Sequence, residues 1–153
     1  MKTLPYEDAK SGDAALVELQ RMLSKFGCGT FGTMTDAENG KTIVQFKHRD
    51  RCVSLEASWR GYAAAWLKVH PYTHRTRGTR QEHEAKALAK GRVAVCSVLR
   101  DWVKGQVTAI ECGIMSFEAA FMPHMLLPDG ERLIDYCVSS KLLAPPPNGK
   151  EDA

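Results

Sequence analysis

A chain that carries one amphipathic period of about thirty residues has few folds open to it, because the helix it makes is wider than a small domain and the rest must pack along it. Thr79 to Phe121 holds such a stretch. Thr79-Arg80-Gln81-Glu82 reads as a capping box, in which the Thr79 hydroxyl and the Glu82 carboxylate each satisfy a backbone N–H of the other end. Leu88, Val95, Leu99, Trp102, Val103 and Ile110 then keep one helical phase, with Arg92, Arg100, Lys104 and Glu111 opposite. The period predicts a long amphipathic helix over about 80–112, stopped by Gly113. Gly91 and Gly105 lie inside it and each weaken it by about 1 kcal/mol relative to alanine. A break at Gly91 is the competing reading; the apolar phase passes through it unshifted.

Before this helix the pattern changes twice. Residues 1–12 are polar and read as a flexible arm. Leu16, Leu19, Met22, Leu23 and Phe26 then recur at helical spacing, so a helix is expected over about 13–26, with Ser11 or Asp13 as its cap and Gly27 as its end. From Cys28 the period falls to two. Cys28–Thr35 reads as a strand and Asp36–Gly40 as a turn. Val44, Phe46 and His48 share one face of a second strand, and Val53, Leu55 and Ala57 one face of a third. His48 lies on the inward phase and reads as a core or edge histidine. Ser58 caps a further helix over about 59–69, whose Trp59, Tyr62 and Trp66 stand at core spacing, and Pro71 stops it. After the long helix, Ser116 caps a short one through Phe121, Leu127-Pro128-Asp129-Gly130 is a turn, and Leu133–Val138 is a last short helix or strand. The expected fold is α+β: a three-stranded antiparallel meander packed against helices, in one domain over 13–140, with a disordered proline-rich tail over 141–153.

The net charge of +3 conceals an asymmetry. Residues 1–40 hold four Lys/Arg against six Asp/Glu, residues 41–104 hold fourteen against five, and residues 105–153 hold three against seven. A basic middle between acidic ends points to a polyanionic partner or to acidic flanks folding back over the basic segment, and both readings stand at this point. The densest cations lie in the unpatterned run His70-Pro71-Tyr72-Thr73-His74-Arg75-Thr76-Arg77-Gly78 and the helix start after it. The candidate anion-binding residues are Arg49, Arg51, Tyr72, His74, Arg75, Arg77, Arg80, Lys86 and Lys90: cations for phosphates, and a tyrosine for stacking. The loop also leads into a helix N-terminus, which attracts anions.

Chemistry of other kinds finds no footing. The five cysteines are odd in number and widely spaced, which fits reduced thiols in the cytoplasm and not a disulfide framework or zinc ribbon. His70, His74 and His83 lack ligand geometry, because Pro71 interrupts any helix between the first two. There is no P-loop, dinucleotide fingerprint, nucleophile elbow or zincin motif, so neither catalysis nor a cofactor is expected. No apolar run approaches the roughly 20 residues of a membrane span.

One run resembles a known family. Glu111-x-Gly113-Ile114-x-x-Phe117-Glu118-x-x-Phe121-x-x-His124-x-x-Leu127-Pro128-Asp129-Gly130 is similar to the signature of small proteins of phages and prophages, in which a long helix ending in E-x-G-I leads into F-E-x-x-F-L-x-H-I-x-L-P-D-G. The run Val44-Gln45-Phe46-Lys47-His48-Arg49 looks like that family's second strand, and the likeness covers roughly residues 15–135. Gly91 and Gly105 depart from the pattern, standing for better helix formers. The resemblance implies a viral origin and a bacterial host cytoplasm, but no reaction. Within the signature, Glu118 and His124 read either as a polar pair or, the favoured reading, as residues that settle that corner without chemistry. Two functions follow as expectations. One is a non-catalytic protein bound to nucleic acid or another polyanion. The other is an inhibitor of a bacterial defence system, acting by contact with a host protein or by sequestering a nucleotide signal. The long helix also leaves room for a homodimer.

Overall fold

The computed structural model describes residues 3–144, so most of the proline-rich tail, 145–153, lies outside the described residues. The elements follow in order as α1 (Gly12–Phe26), β1 (Thr30–Asp36), β2 (Lys41–His48), β3 (Arg51–Ser58), α2 (Trp59–Val69), α3 (Arg80–Glu111), α4 (Phe117–Phe121), a 3-10 turn (Met122–His124) and α5 (Leu133–Ser139). The strands form one antiparallel sheet in the order β1-β2-β3. The fold is α+β, with the long helix among its five.

Local chemistry sets most boundaries. Ser11, Ser58, Thr79 and Ser116 each accept a backbone N–H three residues on, which starts four of the five helices. Gly27 ends α1 at φ 106°, returning its N–H to the Leu23 and Ser24 carbonyls. In β2 every second residue is buried, from Thr42 through Val44 and Phe46 to His48. Arg49 and Asp50 turn β2 into β3 with φ of 49° and 63°, the primed geometry that a two-residue hairpin needs. The first strand begins two residues later than its pattern suggests, because Cys28 turns into the core.

α3 is unbroken through Gly91. A Cβ there would stand 2.4 Å from the Trp59 carbonyl oxygen, so the glycine lets the first turn of α2 lie against the long helix. The helix also changes the face it buries. Ala87, Gly91 and Ala94 go inward where α2 runs alongside; Leu99, Val103 and Val107 go inward where the sheet and α1 take over. Five residues separate Ala94 from Leu99, which at about 100° each carries the buried stripe roughly 140° round the helix. The single phase read from sequence averages the two stripes. Leu88 and Trp102, expected inward, therefore each remain 36% exposed.

The main core joins Leu19 and Leu23 of α1, Val44 and Phe46 of β2, Val53 and Leu55 of β3, the second half of α3, and Phe117 and Phe121 of α4. Phe121 is fully buried and meets Phe46 edge to face with ring centroids 5.4 Å apart. The segment read as a flexible arm is tied down where it is described. Leu4 packs beside Trp66 and Ala87, the Tyr6 hydroxyl donates to Asp101 at 2.7 Å, and the Tyr62 hydroxyl donates to the Pro5 carbonyl at 2.8 Å. Its partners are 57 and 95 residues away, beyond any local pattern. No helix among the described residues is long and apolar enough to cross a membrane.

Candidate nucleic-acid interface

The α2–α3 hairpin closes through residues 70–79, and hydrogen bonds organise this loop. The Thr73 N–H donates to the Thr76 hydroxyl at 3.0 Å, the Arg75 N–H to the Thr73 hydroxyl at 3.3 Å, and the Tyr72 hydroxyl to the Gly78 carbonyl at 3.1 Å. Thr79 and Glu82 complete the capping box: the Glu82 N–H donates to Thr79 at 3.1 Å, and the Thr79 N–H to the Glu82 carboxylate at 2.8 Å. This corrects one expectation. Glu82 already supplies the negative charge that an open helix N-terminus would draw from outside.

Beneath the loop, Trp66 is 4% exposed and forms a floor. His70 lies over it at 4.6 Å between ring centroids, His83 at 5.1 Å, and the Lys86 ammonium at 5.9 Å. Glu7 reaches in from the N-terminal segment. Its Oε1 accepts the Trp66 indole N–H at 3.2 Å and stands 2.6 Å from His70 Nε2, without hydrogen-bond alignment. The Leu4 N–H first, then Trp66 and His70, hold the Glu7 carboxyl below the usual carboxylate range. His83 Nε2 lies 2.7 Å from the His70 carbonyl, so that nitrogen carries the proton and donates. Tyr72 tilts against His83 at 5.8 Å, and the Arg80 guanidinium covers its ring at 5.0 Å. Above Trp66 a recess of about 570 Å³ opens, with Thr76, Arg77, His83 and Lys86 among its walls and Glu82 at its edge.

The structure thus brings Tyr72, Arg77, Arg80 and Lys86 into one constellation. His74 and Arg75 project from the turn beside it, and Lys90 follows one turn beyond Lys86, half-buried. Arg49 and Arg51 stand elsewhere. They flank the β2–β3 turn next to His48, whose ring lies 4.8 Å from Phe117, in the neighbourhood of Val107. Trp66 packs on Ala87, roughly twenty residues and about 30 Å back along α3. The nine candidates therefore do not share one surface. The Tyr72 ring already carries the Arg80 guanidinium on one face.

Among the described residues, none of the eight candidate cations pairs with a carboxylate. The carboxylates that do pair meet other cations: Glu18 and Asp101 with Arg100, Glu56 with Lys41 and Arg132, Asp135 with Arg132, and Asp50 with Lys47. Of the acidic N-terminal segment, Glu7 alone reaches the loop's base, and it meets His70. Sequence reasoning treated Trp66 as core and had no signal for Glu7. The four-residue spacing between Trp66 in α2 and His70 at its C-cap was the available clue.

Other reactive groups are differently placed. Cys28 Sγ and His48 Nδ1 lie 3.9 Å apart, with His48 stacked on Phe26 at 4.5 Å. Burial pushes the Cys28 thiol up to about 11 and lowers His48, which Arg49 lowers further. Such a pair stays neutral and supplies no thiolate. Glu118 and His124, weighed as a polar pair, separate: Glu118 acts on His48, while His124 meets the Trp102 ring edge at 5.4 Å, near Arg132 and Asp135. Among the described residues, no group of three His, Cys, Asp or Glu side chains is disposed to hold a metal. No protein-family model, curated protein sequence or solved structure matches this chain.

Proposed function

We propose that this protein binds the phosphate backbone of nucleic acid, without catalysis, through the loop end of the α2–α3 hairpin. One observation carries the reading: Arg75, Arg77, Arg80 and Lys86 gather at that end, exposed, and none of them forms a salt bridge among the described residues. Arg80 rests over the Tyr72 ring and Lys86 over Trp66, and cations held this way bind phosphate at lower entropic cost. The resemblance to phage and prophage proteins fits a protein working on nucleic acid in the cytoplasm of an infected bacterium.

The test is retention on duplex DNA and RNA across salt. Four phosphate contacts give a slope of roughly −3.6 in log affinity against log salt, about a hundredfold loss between 50 and 200 mM. Replacing Arg75, Arg77 or Arg80 with alanine lowers the slope by about one each. Affinity indifferent to salt, or no retention at all, defeats the proposal.

A second reading has an observation of its own. α5 buries none of its residues, and Tyr136 and Val138 stay 42% and 63% exposed. Large apolar side chains left exposed on a short helix suit protein contact, as an inhibitor of a host defence protein would use. Capture of a host protein that survives nuclease treatment, and is lost on Val138→Asp, favours this reading over the first.

A further inference from the structure

We infer that the recess above Trp66 takes a phosphomonoester dianion, such as the 5′ end of a strand or a mononucleotide. This rests on the backbone-binding reading and specifies what its centre recognises. The recess holds about 570 Å³, room for one nucleotide. Arg77 and Lys86 line it, two positive charges against the nearly two negative charges of a monoester at neutral pH. A diester carries one. The Thr76 side chain and the imidazole of His83, whose Nε2 is already committed to the His70 carbonyl, complete the polar wall. Glu82 is the one carboxylate in the lining; its Oε2 accepts the Thr79 N–H but keeps its negative charge, which opposes an anion at this edge of the recess. Trp66 closes the floor, so an occupant enters from the solvent side.

The experiment compares fluorescence anisotropy of one duplex carrying either a 5′-phosphate or a 5′-hydroxyl, with AMP and inorganic phosphate as competitors. The phosphorylated duplex is expected to bind at least fivefold tighter. Arg77→Ala and Lys86→Ala, both surface changes, remove that preference, whereas Arg49→Ala, at the far end of the long helix, leaves it intact. Glu82→Gln keeps the capping box and raises affinity for the phosphorylated end. Equal affinity for the two duplexes, with AMP failing to compete or to bind, overturns the inference while the backbone reading survives. AMP binding that Lys86→Ala abolishes, without any duplex binding, supports the recess and removes the backbone reading, identifying a free nucleotide as the source. Binding of neither duplex nor AMP ends both.

Discussion

Gly91 and Gly105 lie in the same helix, and replacing each with alanine is expected to move stability in opposite directions. Alanine gains about 1 kcal/mol of helix propensity over glycine at either site, part of it through the unfolded chain. At Gly105 nothing lies within 4 Å of the added methyl, so the gain is realised. At Gly91 the methyl would stand 2.4 Å from the Trp59 carbonyl oxygen and 3.2 Å from its carbon. Both are backbone atoms, which no rotamer change can move. The start of α2 must retreat by about half an ångström or more, and Trp59 goes with it. That side chain is 4% exposed, and its indole N–H donates to the Thr42 hydroxyl at 2.8 Å. Overpacking of this kind costs about 1–3 kcal/mol, and an immovable neighbour places it towards the top of that range. Gly105→Ala should therefore stabilise by about 1 kcal/mol, and Gly91→Ala should destabilise by about 1–2 kcal/mol. The two variants then separate by roughly 5–10 °C in Tm, at about 2–4 °C per kcal/mol for a chain of this length. Urea and thermal unfolding of the pair measure it. Stabilisation by Gly91→Ala equal to that by Gly105→Ala would refute the close approach of α2 and the reason given for that glycine.

Further outcomes follow from the same structure. Thr79→Ala removes the cap of α3 and should cost about 1 kcal/mol, read as a lower urea midpoint at unchanged slope. Phe121→Ala empties the centre of the core and should cost about 3–5 kcal/mol, enough to leave much of the protein unfolded at 37 °C by circular dichroism. Burial holds His48 and His124 below their ordinary value of 6.5, so the unfolded chain takes up their protons first. Their contribution is complete above about pH 6.5 and is lost as pH falls through the lowered folded values. Urea midpoints should fall between pH 7.5 and pH 5, and His48→Phe should flatten that slope.

The legible parts were those decided within a few residues. A serine or threonine three residues before a free N–H marks a helix start wherever the chain goes next, and Ser11, Ser58, Thr79 and Ser116 all act that way. Alternation in Val44, Phe46 and His48 fixes a strand's inner face by the pleat alone. Of the site, the cations of the loop could be picked out because charge and the absence of period are local properties. Their floor and their neighbours could not. Arg49 and Arg51 were grouped with Arg75 and Arg77 by composition, whereas the meander turns them to the far end of the long helix.

By itself, then, the sequence determined the α+β class, the helix starts and stops, the strand faces and the basic character of one loop, since each depends on hydrogen bonds and side-chain periods spanning a few residues. Tertiary structure decided which stripe of the long helix is buried at each point, that Glu7 reaches Trp66 and His70, that Gly91 receives the Trp59 carbonyl, and that a recess opens between Arg77 and Lys86. Those outcomes depend on what stands opposite a residue, and here the opposite partner is often tens of residues away along the chain.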